Sequence, residues 1–166
     1  MSSDNSTEIR STISPEMRDR LHRLTESLLA YYGVTAPPVP VDLMLREPAG
    51  SLWQVETDQI SSIIGHGLYR YAPRLAGARL LYRVISDSAS ARQAGFDAPW
   101  PASRREIKYF ARCLLMPADW IHALPEPERV PEAISERFQV TPFDAVVRLA
   151  ELGLPVPDGT KIDFDE

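Results

Sequence analysis

The chain has 166 residues, of which 44% are hydrophobic and 25% charged; it is long enough to bury a core, and its single cysteine, Cys113, excludes an intramolecular disulfide. The net charge of −5 argues against a broadly nucleic-acid-binding surface. No apolar stretch approaches the roughly 20 residues of a membrane helix, and residues 1–12 lack the apolar centre of a signal peptide, so we expect a cytoplasmic protein.

The first ordered element is predicted to be a helix that follows a polar, disordered segment over residues 1–12. Ser14 is a suitable N-cap and Pro15 suits the first helical position. Apolar residues then recur at helical spacing until Gly33, which ends the helix. After a proline-rich connector, residues 41–46 predict a second, short helix.

Two strands are predicted next. Residues 51–56 carry Leu52, Trp53 and Val55, and residues 60–71 form a second apolar run, interrupted at Gly65-His66-Gly67 by a bulge or tight turn. With helices on both sides of these strands, the element order predicts an α+β fold with a small, mainly antiparallel sheet.

Helical patterns dominate the rest of the chain. Residues 75–94 predict one long helix. Ser103 followed by Glu106 three residues later predicts a capping box at the start of the next helix, which runs to Met116-Pro117. Residues 118–124 predict another turn or two of helix. A final helix pair is expected over residues 133–152, with its turn at Gln139 to Pro142.

Two blocks of this sequence resemble the ImmA/IrrE family of zinc metallopeptidases. Residues 104–117 are similar to the family segment E-x-E-A-N-x-F-A-x-x-L-L-M-P, and residues 134–154 to its pattern L-A-x-x-F-x-V-S, then R-L-x-x-L-G-L. Pro40-Val41-Asp42 resembles the family's early P-V-D. The resemblance covers residues 38–154 and implies a zincin-like frame for residues 13–124, with a helix pair over 128–154 packed on it and a polar tail over 155–166.

The family's catalytic motif, H-E-x-x-H, is absent. Histidines four residues apart share one helix face and can both bind Zn²⁺, while the glutamate between them activates the metal-bound water. Val84 and Ser88 stand where the resemblance places the histidines, and Ile85 stands in place of the glutamate. Glu106 occupies the position of the third ligand. Since one carboxylate cannot hold zinc, we expect no zinc and no catalytic residue of this type.

The resemblance therefore implies a pseudo-peptidase that binds a protein partner without cutting it. Because peptidases of this family act on helix-turn-helix repressors in stress responses, a transcriptional repressor is the expected partner. A possible pocket in the former active site would involve His66, Ser86 and Asp87. Cys113 lies among apolar residues and is expected to pack in the core rather than act as a nucleophile.

Two alternatives stay open. The helix pair 133–152 has the spacing of a helix-turn-helix motif, with Arg148 as the only cation on its second helix that could read bases. Alternatively, the chain is a cryptic hydrolase in which a serine such as Ser86 or Ser88 acts with His66 as its base.

Overall fold

The structure is a computed structural model that describes residues 13–47, 52–56, 58–60 and 70–162. Within these ranges the protein is an assembly of α-helices. They are α1 Pro15–Tyr31, α2 Val41–Arg46, α3 Ala72–Ser86, α4 Ala89–Gln93, α5 Arg104–Leu115, α6 Ala118–His122, α7 Pro131–Phe138 and α8 Pro142–Glu151, with a 3-10 turn at Glu126–Glu128.

The central helix is α5, which packs against α1, α3 and α8. Every residue from Ile107 to Leu115 is buried. A helix that is buried all round normally carries apolar residues on every face, yet α5 also buries Lys108 and Arg112. These two cations distinguish α5 from an ordinary core helix.

The N-terminal and central helices begin as the sequence predicts. The Ser14 side chain accepts a hydrogen bond from the backbone N–H of Met17 at 3.2 Å, and Ser103 with Glu106 forms the expected capping box. Each cap satisfies backbone N–H groups that have no partner within their own helix. Helix α2 has the predicted bounds, and Gly33 lies in the left-handed region, with φ 64°, just beyond α1.

The long helix predicted over residues 75–94 is two helices instead. Helix α3 ends at Ser86, and α4 starts after Ser88, whose side chain accepts a hydrogen bond from the backbone N–H of Ala91 at 3.1 Å. A serine side chain competes with the helical backbone for hydrogen bonds, and here that competition starts a new helix.

The predicted α+β fold is wrong for the described part of the chain, which contains no strand. Residues 52–56 are irregular, and Trp53 is an anchor rather than a strand residue. Its indole N–H donates to the Met44 carbonyl at 3.3 Å, and its ring meets Phe96 edge-on with centroids 5.6 Å apart. The apolar residues of this segment therefore pack against α2 and the loop after α4, not within a sheet.

The second predicted strand is also contradicted where the structure describes it. Residue Ile60 is helical, and the Glu56 carbonyl accepts hydrogen bonds from the N–H groups of Gln59 and Ile60 at 3.0 and 3.4 Å. Arg70 and Tyr71 form a turn that leads into α3. The rest of this run, including His66 and the flanking glycines, lies outside the described residues. A zincin-like frame built around a sheet is accordingly not supported.

The C-terminal helices form a packed pair. Helix α7 starts two residues earlier than predicted, at Pro131, and Gln139 ends it in the left-handed conformation, with φ 55°. Thr141 caps α8 by accepting from the N–H of Asp144 at 3.1 Å. The turn that separates the two helices is therefore fixed by the residue types the sequence supplies at its two ends.

Candidate functional site

The positions that the resemblance assigns to zinc chemistry lie at the end of α3 and just after it. Ile85 is fully buried, and Val84 is partly buried against the same core. Both side chains are hydrocarbon and pack against the core. They can stabilise the packing of α3 on its neighbours, but they offer no atom that could bind a metal or accept a proton.

Ser88 and Ser86 have their hydroxyl groups engaged by the backbone. The Ser88 hydroxyl donates to the Leu52 carbonyl while it caps α4. The Ser86 hydroxyl donates to the Arg83 carbonyl at 2.8 Å and is almost completely buried. Asp87 is exposed at the end of α3. These contacts do not give either serine a base, and the proposed partner His66 is outside the described residues.

Glu106 is committed to the start of α5. Its Oε2 accepts a hydrogen bond from the backbone N–H of Ser103 at 2.7 Å, and its own N–H donates to Ser103 Oγ at 3.1 Å. Glu106 also lies close enough to Tyr82 to raise the pKa of that phenol, although burial is the larger cause. Over the described ranges, no three side chains of metal-binding type converge.

A cluster of buried charges lies where α5 meets α8, and in it two buried arginines share one carboxylate. Arg112 donates to Glu151 Oε1 through Nε at 2.9 Å and through Nη2 at 2.5 Å. Arg148 reaches Glu151 Oε2 through Nη1 at 3.4 Å, and its Nε donates to the Met116 carbonyl at 3.0 Å. Arg148 is only 1% exposed. This cluster ties α8 to α5.

Three further side chains surround Arg148. Its guanidinium carbon lies 5.8 Å from the centroid of the Tyr109 ring, and the Tyr109 hydroxyl lies 3.0 Å from His22 Nε2. Burial raises the pKa of both Tyr109 and Cys113. Burial, aided by the charge of Arg148, lowers the pKa of His22. At neutral pH the phenol, the thiol and the imidazole are all uncharged, so none of them offsets an arginine.

A cavity of about 370 Å³ opens beside this group. Helix α1 contributes His22 and Thr25, α5 contributes Cys113, and α8 contributes Arg148. Apolar walls come from α1, from the connector after it and from the start of α6, and they include Leu29, Val34, Pro117 and Trp120. The floor of the cavity thus holds the cation of Arg148 and its sides are largely hydrocarbon, while the exposed carboxylates of Glu26 and Asp119 also line it.

Sequence reasoning missed this cavity and assigned Arg148 differently. Arg148, the only cation on the second helix that the DNA-binding alternative offers for reading bases, is buried rather than displayed on the surface of the helix pair. The signal in the sequence was the placement of Arg112 and Arg148 within apolar runs, with Glu151 three residues after Arg148 on the same face of α8. A charge inside an apolar run requires a buried partner. Which residue supplies that partner depends on the packing of α5 against α8.

Comparisons with protein-family models, curated proteins and solved structures found no match to this chain. The resemblance to zinc metallopeptidases therefore stays a prediction from a few sequence blocks. Among the residues that the structure describes, no helix is both long enough and apolar enough to cross a membrane.

Proposed function

We propose that this protein is a non-catalytic regulator that acts by binding a protein partner. The proposal rests on the structural roles of the residues at the positions where the resemblance places the zinc ligands and the general base. Ile85 is core, the Ser88 hydroxyl is used by a helix start and a backbone carbonyl, and the Glu106 carboxylate is used by a capping box. Hydrolysis by a metal-bound water needs several converging ligands, and these residues serve the fold instead.

The surface chemistry favours a basic partner. Between α6 and α8 the chain exposes the acidic residues Glu126, Glu128, Glu132 and Glu136. Glu128 pairs with Arg137 at 3.0 Å, and Glu136 lies 3.7 Å from Arg70. No ion pair within the described residues involves Glu126 or Glu132. A helix-turn-helix repressor presents a basic DNA-binding face, and an acidic surface can both attract that face and compete with DNA for it.

The test uses the helix-turn-helix repressor encoded nearest to this protein's own gene. Isothermal titration calorimetry at ~50 mM and ~200 mM salt should show binding that weakens as salt rises, and the repressor should stay intact after incubation. The variant Glu126→Lys/Glu132→Lys should weaken binding at least tenfold. Asp58→Lys/Asp158→Lys makes the same change in net charge at two exposed carboxylates outside this surface and serves as the control.

Two results would contradict the proposal. One is the absence of binding to the repressor at low salt. The other is cleavage of the repressor that EDTA abolishes, which would mean that the protein is a metallopeptidase after all. Metal analysis of protein purified without a histidine tag gives an independent check, because stoichiometric zinc that is lost in Glu106→Ala would show that Glu106 is a ligand.

A regulator of this kind would act in the cytoplasm, where its repressor partner works. The cryptic-hydrolase alternative finds no support in the Ser86 and Ser88 contacts, and the DNA-binding alternative finds none in the burial of Arg148.

A further inference from the structure

The buried charges at the floor of the cavity are the two cations Arg112 and Arg148 and the single carboxylate of Glu151, while the carboxylates of Glu26 and Asp119 line the cavity at exposed positions. Arg112 and Arg148 face one carboxylate, that of Glu151, and Arg112 holds it at the shorter distances of 2.5 and 2.9 Å. At 3.4 Å, Arg148 makes only a weak contact with it.

Arg148 also donates to the Met116 carbonyl at 3.0 Å, and although burial lowers the pKa of Arg148, neighbours that include Glu151 and Tyr109 raise it overall. Two buried cations still share one carboxylate, and burying a charge is costly, so an anion beside Arg148 would be favoured.

The neighbouring charges do not remove this excess of buried cations. Burial lowers the pKa of Arg79 and the charge of Asp144 opposes this, so these two residues add one group of each sign. Tyr109 and Cys113 are neutral because burial raises their pKa values, and the lowered pKa of His22 keeps that ring neutral as well. Glu26 on α1 and Asp119 on α6 also line the cavity, but both are exposed to solvent, which screens their charges.

A second polar group of the cavity lacks a partner. The Thr25 side chain is only 4% exposed, and its hydroxyl has no hydrogen-bond partner among the described residues. An unpartnered buried hydroxyl costs roughly 1–3 kcal/mol, and native proteins leave few such groups. Thr25 and Arg148 both line the same cavity, so one acceptor with two oxygens could engage both.

The remaining lining restricts the ligand. Leu29 and Trp120 give the cavity hydrocarbon walls, and its volume of about 370 Å³ lies near the lower end of small-molecule sites. A phosphate group would bring more negative charge than the single excess cation offsets, next to Glu151. A ligand with one negative charge and a small, flat or branched apolar group matches both the charge and the shape of this cavity.

We propose that this cavity is a binding site for a small amphipathic monocarboxylate, such as an aryl-acetic or branched aliphatic acid. The carboxylate accepts hydrogen bonds from Arg148 and Thr25, and the apolar body lies between Leu29 and Trp120. The site is separate from Val84, Ile85 and Ser88, and it does not depend on the protein partner proposed above.

The test uses the isolated full chain with a matched pair of probes, phenylacetate and phenylacetamide. The two have nearly the same shape, but only the acid is charged. Calorimetry at neutral pH should give saturable binding of phenylacetate and at least tenfold weaker binding of the amide. The chain has three tryptophans, and Trp120→Phe identifies which indole N–H signal in an NMR spectrum belongs to the cavity. That signal should shift with phenylacetate.

Two variants preserve the fold while they change the site. Thr25→Val keeps the shape and removes the hydroxyl, and should weaken phenylacetate binding roughly fivefold or more. Ala118→Leu places a larger side chain at the cavity wall and should abolish binding. Its control, Ala123→Leu, adds the same group at an exposed residue just after α6 that does not line the cavity.

The proposal is overturned by equal affinity for acid and amide, by unchanged binding in both Thr25→Val and Ala118→Leu, or by no phenylacetate binding up to ~10 mM. Arg148→Lys adds a second measurement, because lysine retains the positive charge but lacks the guanidinium group that can donate two hydrogen bonds to one carboxylate. If that variant folds, as its circular dichroism will show, it should retain weakened binding of the acid.

Discussion

The Arg112 guanidinium donates two hydrogen bonds to a single oxygen of Glu151, at 2.9 and 2.5 Å, across the contact between α5 and α8. Both side chains are only 7% exposed. Since Arg148 contacts the second oxygen of the same carboxylate, Glu151 is the counter-ion for two buried cations. The joint between the central helix and the C-terminal helix pair therefore depends on one carboxylate.

Replacing Glu151 should destabilise the protein strongly. Glu151→Gln leaves Arg112 and Arg148 buried without a counter-ion, and losing one partner of a buried ion pair costs about 3–5 kcal/mol. Chemical denaturation at neutral pH measures the change in free energy of unfolding. The control is Glu136→Gln, which breaks the exposed pair with Arg70, a pair in which both side chains are more than half exposed; exposed pairs contribute little. Equal effects of the two substitutions would mean that the buried cluster does not exist in solution.

The burial of α5 gives a second prediction, on a matched pair of phenylalanines. Phe110 is fully buried, with its ring 5.1 Å from that of Tyr82, whereas Phe143 in the first turn of α8 is 48% exposed. Phe110→Ala should lower the free energy of unfolding by about 3–5 kcal/mol because it removes a packed ring and leaves a cavity. Phe143→Ala should change it much less. If Phe110→Ala leaves the free energy of unfolding almost unchanged, the face of α5 that carries Phe110 does not pack into the core.

Substitutions at the start of α5 distinguish a capping role for Glu106 from a metal-binding role. Ser103→Ala removes the acceptor for the Glu106 N–H and should cost about 1 kcal/mol. Glu106→Gln keeps a side-chain oxygen that can accept from the Ser103 N–H, so it should cost only a few tenths of a kcal/mol. Thermal and denaturant unfolding, with and without EDTA, measures both. A larger loss in Glu106→Gln than in Ser103→Ala, or a loss only without EDTA, would favour a ligand role.

The sequence predicted the helical elements well wherever a local signal sets the boundary. Ser14 and Ser103 each cap the helix they were expected to cap. Such signals are local because a cap contacts backbone groups only two or three residues away. Ser88 carried the same kind of signal and was overlooked, because the apolar pattern of residues 75–94 continued across it.

The predicted strands show where local pattern fails. An apolar segment such as Leu52 to Val55 fits a strand as well as it fits a loop anchored by one large side chain, and only the position of Met44 and Phe96 decides between them. The cavity was hidden for the same reason. Its lining comes from four helices and a connector, and the pairing of Arg112 with Glu151 spans 39 residues along the chain. Patterns of residue spacing within one helix or strand cannot predict a contact between residues so far apart in the sequence.

The pH dependence of stability should depend on His22. Burial and Arg148 lower its pKa below the usual value of 6.5, so the unfolded chain binds a proton at this residue more readily than the folded one. Stability therefore rises with pH wherever the unfolded state binds more protons. The contribution of His22 is complete above about pH 6.5, and it falls as the pH drops from there towards the folded-state pKa, by at most about 1.4 kcal/mol per pH unit.

The variant His22→Gln removes this titration and keeps a polar partner for the Tyr109 hydroxyl, 3.0 Å from His22 Nε2 in the parent. Denaturant unfolding between pH 5 and pH 8 should show a shallower loss of stability on acidification in the variant, while carboxylates contribute alike to both proteins and cancel in the difference. His122→Gln, at an exposed histidine on α6, should follow the parent curve. If His22→Gln and the parent lose stability in parallel, burial and the nearby Arg148 do not hold His22 neutral, and the charge assigned to the cavity floor must be revised.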